Sequence, residues 1–199
     1  KPVELLGMDV PLKFLPITVT RLDSKTMERK HITNMEDAVR FLPGVVMSSN
    51  QLGAFQRYSV RGTTDAVFAF DGIRDDRTLL NTVPFGDLSS VESIEVIKGP
   101  ASVLSGYSVM GGVINIIRKK ASAEFTANAS VSYGSWDQKE ATVGFGGKLF
   151  GPLNYRANMH YANGDGYRMV NADRFSGLFA IGMEVTKKGY LEANVSFND

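Results

Sequence analysis

The chain has 199 residues, enough for one ordinary domain or a small domain plus part of another. It carries 22 basic and 21 acidic residues, a net charge of +1, so no charge excess points to nucleic acid. Cysteine is absent, which excludes disulfides, thiolate metal sites and cysteine catalysis, and no apolar run reaches the ~18 residues of a transmembrane helix.

The chain opens on Lys1-Pro2-Val3-Glu4, without the apolar core of a signal peptide, so an exported protein is expected to have its signal before this segment. Asp23 is placed to cap a short helix through Thr26 and Glu28. Thr33-Asn34-Met35-Glu36 fits a capping box, and Met35, Ala38, Val39 and Leu42 then repeat at helical spacing until Pro43-Gly44. Extended structure resumes at Val45 to Ser48. Tyr58 to Val60 reads as a strand before Arg61-Gly62, and Val67 to Phe70 as another, ended by an Asp71-Gly72 turn. Ser93 to Lys98 alternates up to Gly99-Pro100. Gly111-Gly112 leads into Val113 to Ile117 and the basic stop Arg118-Lys119-Lys120. Up to Lys120 this is the grammar of a small α+β domain.

After Lys120 nearly everything alternates with period two. From Ala121 to Tyr133 every odd position is apolar and every even one is Ser, Glu, Thr or Asn. Such a run exceeds the usual strand of about 5–6 residues and suits a tilted bilayer-spanning strand of about 9–11. Ala141 to Leu149, Leu153 to Tyr161, Phe175 to Val185 and Leu191 to Phe197 repeat the pattern. Phe150-Gly151-Pro152 and Lys187-Lys188-Gly189 read as tight turns, and Asn163 to Asp173 as a longer polar loop. Five long strands, joined alternately by short turns and longer loops, are expected in an outer-membrane barrel. Tyr133, Tyr155, Tyr161 and Tyr190 lie near strand ends, where aromatic girdles sit. Five strands cannot close, and open edges in lipid are costly, so further strands are expected to complete the wall.

No catalytic constellation appears, and no enzyme is expected. His31 and His160 fall in different halves and read as structural or exposed. Gly-x-Ser-x-Gly and the phosphate-binding glycine loop are missing. Asp71, Asp75 and Asp76, interleaved with Arg74 and Arg77, read as a solvated turn rather than a metal site.

The run from Val91 through Lys98-Gly99-Pro100 to Gly106, continued by Gly111-Gly112-Val113-Ile114-Asn115, resembles the plug signature of TonB-dependent outer-membrane receptors. Leu42-Pro43-Gly44-Val45, Val60-Arg61-Gly62 and Phe70-Asp71-Gly72 resemble its other motifs, in the family's order. Ser105 stands where the family usually has a tyrosine. The resemblance implies a plug of about four strands (1–120) inserted in a barrel of about 22, whose first five strands are 121–199. It implies import of a scarce nutrient across the bacterial outer membrane, energised through TonB, whose contact segment is expected upstream. It also implies a latch: Arg61 and Lys98 match the basic residues that meet barrel glutamates in the family.

Asp71-Gly72-Ile73-Arg74-Asp75 resembles the form found in siderophore receptors, so the ligand expected is a ferric siderophore, with no intrinsic cofactor or metal. Family plug loops place Gln51, Phe55, Arg57, Arg74, Asp76, Arg77 and Tyr107 as ligand-facing candidates. Arginines complement an anionic chelate and aromatics pack on its scaffold. The alternatives are a cobalamin or glycan receptor of the same family, and a non-transporting barrel such as an adhesin or passive pore.

Overall fold

Thr18, Val19 and Thr20 start β1 (Thr18–Asp23), a strand that no alternation in the sequence announces. The computed structural model describes residues 18–51, 55–63, 66–75, 87–98, 111–165, 173–186 and 189–198. Its contacts divide the chain into two compact units, Lys1–Arg118 and Lys119–Asp199.

In the first unit β1 gives way at once to α1 (Ser24–Arg29). Asp23 keeps an extended backbone and its carboxylate accepts from the Thr26 amide at 2.7 Å, as expected of the cap. α2 (Met35–Val39) is capped by Asn34, one residue after the threonine that the sequence favours. Asn34 Oδ1 accepts from the Asp37 amide at 2.9 Å and its Nδ2 donates to the Asp37 carboxylate at 3.1 Å. Asparagine caps at least as well as threonine, and Asp37 is the acid that can answer it. Leu42, expected on the same face, is buried in the turn beyond the helix.

Six further strands follow: β2 (Val45–Gln51), β3 (Phe55–Val60), β4 (Val67–Phe70), β5 (Ile73–Arg74), β6 (Val91–Lys98) and β7 (Gly112–Arg118). β2 and β3 pair as a hairpin. The others form a sheet in the order β1-β6-β7-β4-β5, parallel only between β4 and β7. The edge strands β1 and β5 add to the five extended segments read from the sequence before Lys120, so the unit has seven strands among the described residues where the resemblance implies about four. At the β4–β5 turn Asp71 and Gly72 both have positive φ, 48° and 86°, the geometry favoured in a two-residue hairpin loop.

Cross-strand pairing fixes the faces. Leu22 lies opposite Ile94, Ile94 opposite Ile116, Val96 opposite Ile114, and Ile114 opposite Phe68. These residues form one core with Met27, Ile32, Met35, Ala38 and Leu42 from the helical segment and Tyr58 and Val60 from the hairpin. Each fully buried aliphatic side chain contributes roughly 1.5–3 kcal/mol. The opposite face is also closed: Ile97, Val113 and Ala69 are fully buried. It carries the row Arg21, Glu95 and Asn115 across β1, β6 and β7. Arg21 donates to the Glu95 carboxylate at 3.2 Å, which offsets much of the cost of burying that acid.

The second unit is an antiparallel sheet in sequence order, β8 (Thr126–Tyr133), β9 (Lys139–Phe150), β10 (Leu153–Asn163), β11 (Arg174–Thr186) and β12 (Gly189–Asn198). β9 to β12 have the length of membrane-spanning strands. β8 does not start at Ala121, although alternation begins there. Its ladder starts at Thr126 opposite Gly146, and Ala121 is held elsewhere: its amide donates to Glu192 at 3.2 Å, and Tyr190 donates to its carbonyl at 2.6 Å. Tyr190 is therefore not a girdle residue. It shares a face with Glu192, on the polar side, and its hydroxyl fills the space that a side chain at Gly182 would take.

Burial in this sheet is inverted relative to a soluble protein. Asn154, Arg156, Asn158, His160 and Ser176 are buried, while Val143, Phe145, Met159, Phe175, Phe179 and Val195 are exposed. An apolar face turned outward and a polar face turned inward is the arrangement of a barrel wall in lipid. Arg156 reaches across Gly146 to donate to Thr126 at 2.9 Å and also donates to Asn158 at 2.8 Å, so the buried cation is hydrogen-bonded. His160 is buried against Thr142, with 2.9 Å between Nδ1 and Oγ1.

Candidate functional site

Two cations converge at one end of the first unit's core. Lys98 closes β6, points to the same face as Val96, and is only 6% exposed. Its Nζ donates to Thr20 Oγ1 of β1 at 2.9 Å. Arg61 follows β3 in a left-handed conformation, φ 53°, and its amide donates to the Gly44 carbonyl at 2.8 Å. Gly44, itself at φ 80°, has both cations beside it. A Cβ built there would stand 3.8 Å from Lys98 Nζ and 3.9 Å from Arg61 Cγ. Gly44, Arg61 and Lys98, drawn from three motifs far apart in the chain, thus meet at one point.

Nothing acidic among the described residues bonds to either cation. Burial first, then the nearby Arg61 guanidinium, holds the Lys98 ammonium below the ordinary lysine value of 10.5. Two like charges, one nearly buried, lie side by side, and an anionic group beside them would offset their cost. Without such a group they are a liability to the fold.

Gly112 makes the approach of β7 possible. A Cβ there would lie 2.6 Å from the Ile97 carbonyl oxygen and 2.9 Å from Val60 Cγ1. Val60 precedes Arg61 and Ile97 precedes Lys98, so this close contact also fixes the two cations' backbone.

The Asp-Gly turn is anchored from β7. Asp71 accepts from the Arg118 amide at 2.9 Å and from Arg118 Nε at 2.7 Å, and the Gly72 amide donates to Asn115 Oδ1 at 3.0 Å. This corrects the reading of Asp71 as part of a solvated acidic turn. Its described partner is Arg118, and Asp75 is buried with its amide bonded to Phe68. Motif position alone points to Asn115 and Asp71. Nothing in the sequence points to Arg118 or Thr20, because each contact joins segments brought together by sheet order.

Of the ligand-facing candidates, Gln51 and Phe55 pair with each other where β2 meets β3, and Arg57 is an exposed residue of the same hairpin, opposite Ser49. Arg74 lies in β5, half-buried, opposite Ala69. Asp76, Arg77 and Tyr107 lie outside the described residues. The structure therefore gathers three candidates on one hairpin and puts a fourth in the other sheet. Among the described residues no group of three or more His, Asp or Glu forms a metal site.

Residues 11–113 match the family of the TonB-dependent Receptor Plug Domain. The ferric-pyoverdine 358 receptor of Pseudomonas putida is 26% identical over 167 residues, which is 82% of this chain and 20% of that protein. The ferric enterobactin receptor of Pseudomonas aeruginosa is 31% identical over 166 residues, 69% of this chain and 22% of that protein. Among solved structures, the closed form of the ferric-catecholate import receptor Fiu from Escherichia coli superposes with a TM-score of 0.82 at 23% identity, covering 98% of this chain and 27% of that one. The alcaligin outer-membrane receptor FauA of Bordetella pertussis gives 0.80 at 20% identity, covering 98% and 34%. The chain spans about a fifth of the length of the curated relatives it matches. Those relatives are receptors, not enzymes.

Proposed function

The chain belongs to the TonB-dependent receptor plug family, and on that premise we propose that it supplies the plug and first wall strands of an outer-membrane receptor importing a ferric siderophore. In this reading residues 1–120 are the plug and 121–199 the first five strands of the barrel. The observation that carries it is the inverted burial of β9 to β11, where apolar side chains face out and Asn154, Arg156, Asn158 and His160 face in. A wall of that kind needs lipid outside and something polar within. Relatives named for ferric pyoverdine and ferric enterobactin support a ferric chelate as the cargo.

The cargo would meet Gln51, Phe55 and Arg57 on the β2–β3 hairpin, with Arg74, Asp76, Arg77 and Tyr107 as further contacts. The chelator itself supplies the iron ligands, so the protein needs none. Arg61 and Lys98 form the latch. Their anionic partner is a pair of barrel glutamates outside this chain, and TonB supplies the energy through a segment preceding the plug. A buried charge that loses its partner is strongly destabilised, which suits a contact that is made and broken as a switch.

The test is growth of a deletion strain on ferric siderophores as sole iron source. Loss of growth on one siderophore, restored by the intact gene, supports the reading. Wild-type growth on every siderophore, with lost uptake of cobalamin or a glycan, reassigns the cargo within the family. The latch is tested by Arg61→Ala with Lys98→Ala, which is expected to admit large antibiotics that the intact outer membrane excludes.

A further inference from the structure

Lys98 does not stand alone at the end of β6. Its partner in the ladder is Thr18, yet its ammonium reaches diagonally past that pair to Thr20. Thr20 lies opposite Val96, on the core face, which is the face Lys98 shares. β1 is an edge strand of its sheet, joined among the described residues through β6 alone. The one hydrogen bond described for the buried ammonium is therefore supplied by an edge strand.

We infer that Thr20 is a positioning residue for Lys98, so that pairing of β1 with β6 sets whether the two-cation cluster of Lys98 and Arg61 can hold its anionic partner. This rests on the latch reading above and adds its control. The geometry gives the coupling a direction. Opening β1 from its Thr18 end breaks the Thr18–Lys98 and Thr20–Val96 pairs before Leu22, opposite Ile94, leaves the core. Lys98 thus loses its acceptor while most of the apolar core stays closed. The ammonium is then free to swing within a site that Arg61 still repels. Opening from the Asp23 end exposes Leu22 first and frees Lys98 late. Arg61 is held by the Gly44 carbonyl and, among the described residues, makes no hydrogen bond to β1, so the switch moves one cation and leaves the other fixed.

The experiment uses the receptor expressed from its own gene in the outer membrane, with uptake of a large, normally excluded antibiotic as the readout of plug release. Thr20→Val keeps a β-branched side chain on the strand but removes the acceptor. Thr20→Ser keeps the hydroxyl. Thr20→Val is expected to raise leakage about tenfold, the ratio that follows from losing one hydrogen bond to a charged group. Thr20→Ser should match the wild type, and Thr20→Val combined with Lys98→Met should leak no more than Lys98→Met alone. A merely structural role for Thr20 gives leakage that adds to that of Lys98→Met, and this outcome overturns the inference. Leakage from the Arg61→Ala/Lys98→Ala receptor with a silent Thr20→Val overturns the positioning role and leaves the latch standing. No leakage from that double variant removes the latch and the inference with it.

Discussion

Asp71→Asn separates the charge of the Asp71 contact from its shape. Asparagine keeps an oxygen for the Arg118 amide, 2.9 Å from Oδ1, and tolerates the left-handed backbone at φ 48°. It forfeits the ion pair of 2.7 Å with Arg118 Nε, whose partners are 21% and 23% exposed at the aspartate and the arginine. Such exposure puts the pair between a surface bridge of ~0–1 kcal/mol and a hydrogen bond to a charged group of ~1.5–3 kcal/mol, so the expected loss is about 1–2 kcal/mol. Asp71→Ala loses both bonds to Arg118 and adds about 1–2 kcal/mol for placing alanine in a left-handed conformation, a total of roughly 3–5 kcal/mol. The assay is hydrogen exchange at the Arg118 amide, bonded to Asp71, and at the Gly72 amide, bonded to Asn115. At about 1.4 kcal/mol per factor of ten, Asp71→Asn should speed local opening roughly tenfold and Asp71→Ala a hundredfold or more. Unchanged protection of both amides in Asp71→Ala refutes the view that this contact holds the turn onto β7.

Gly112→Ala sets a methyl 2.6 Å from the Ile97 carbonyl oxygen, backbone that no side-chain rotation can relieve; the first unit should lose ~1–3 kcal/mol, read as a lower urea midpoint. Tyr190→Phe removes the donor to the Ala121 carbonyl and should cost ~0.5–1.5 kcal/mol, seen as faster exchange at the Ala121 amide with β10 and β11 unaffected. The Asp23 carboxylate is held below its ordinary 3.8 by hydrogen bonds to the Thr26 side chain and amide. Its contribution to α1 is thus fully present above that value and is lost as pH falls through the lowered one. Acid titration of α1 amide protection should show this loss, and Asp23→Asn should abolish it.

The strands of the second unit were legible in the sequence because period two is a local property: it says which side of a strand each residue takes. The four later strands, each a residue or two longer than its alternating run at one or both ends, the Gly151-Pro152 turn and the outward apolar face are all present in the structure. The same signal misled at Ala121 to Phe125, since alternation offers a face while a strand requires a neighbour, and Ala121 is held by Tyr190 and Glu192 instead. β1 is the converse. It has no clean alternation and becomes a strand by pairing with β6. The helix caps and the Asp71-Gly72 turn are likewise written locally, with the choice of Asn34 over Thr33 turning on which side chain finds Asp37.

The candidate site was legible only as separate motifs. Their residues could be named, but not the contacts that give each its chemistry. Lys98 to Thr20, Asp71 to Arg118 and Arg21 to Glu95 all join positions far apart in the chain. Sheet order and register decide which side chains face each other, and these depend on how the whole chain packs, not on any window of it. The sequence by itself determined most of the strands, though neither β1 nor the start of β8, together with the helix caps and the two grammars on either side of Lys120. Only the tertiary structure decided that a buried lysine and an exposed arginine share one corner, and that an edge-strand threonine holds the lysine there.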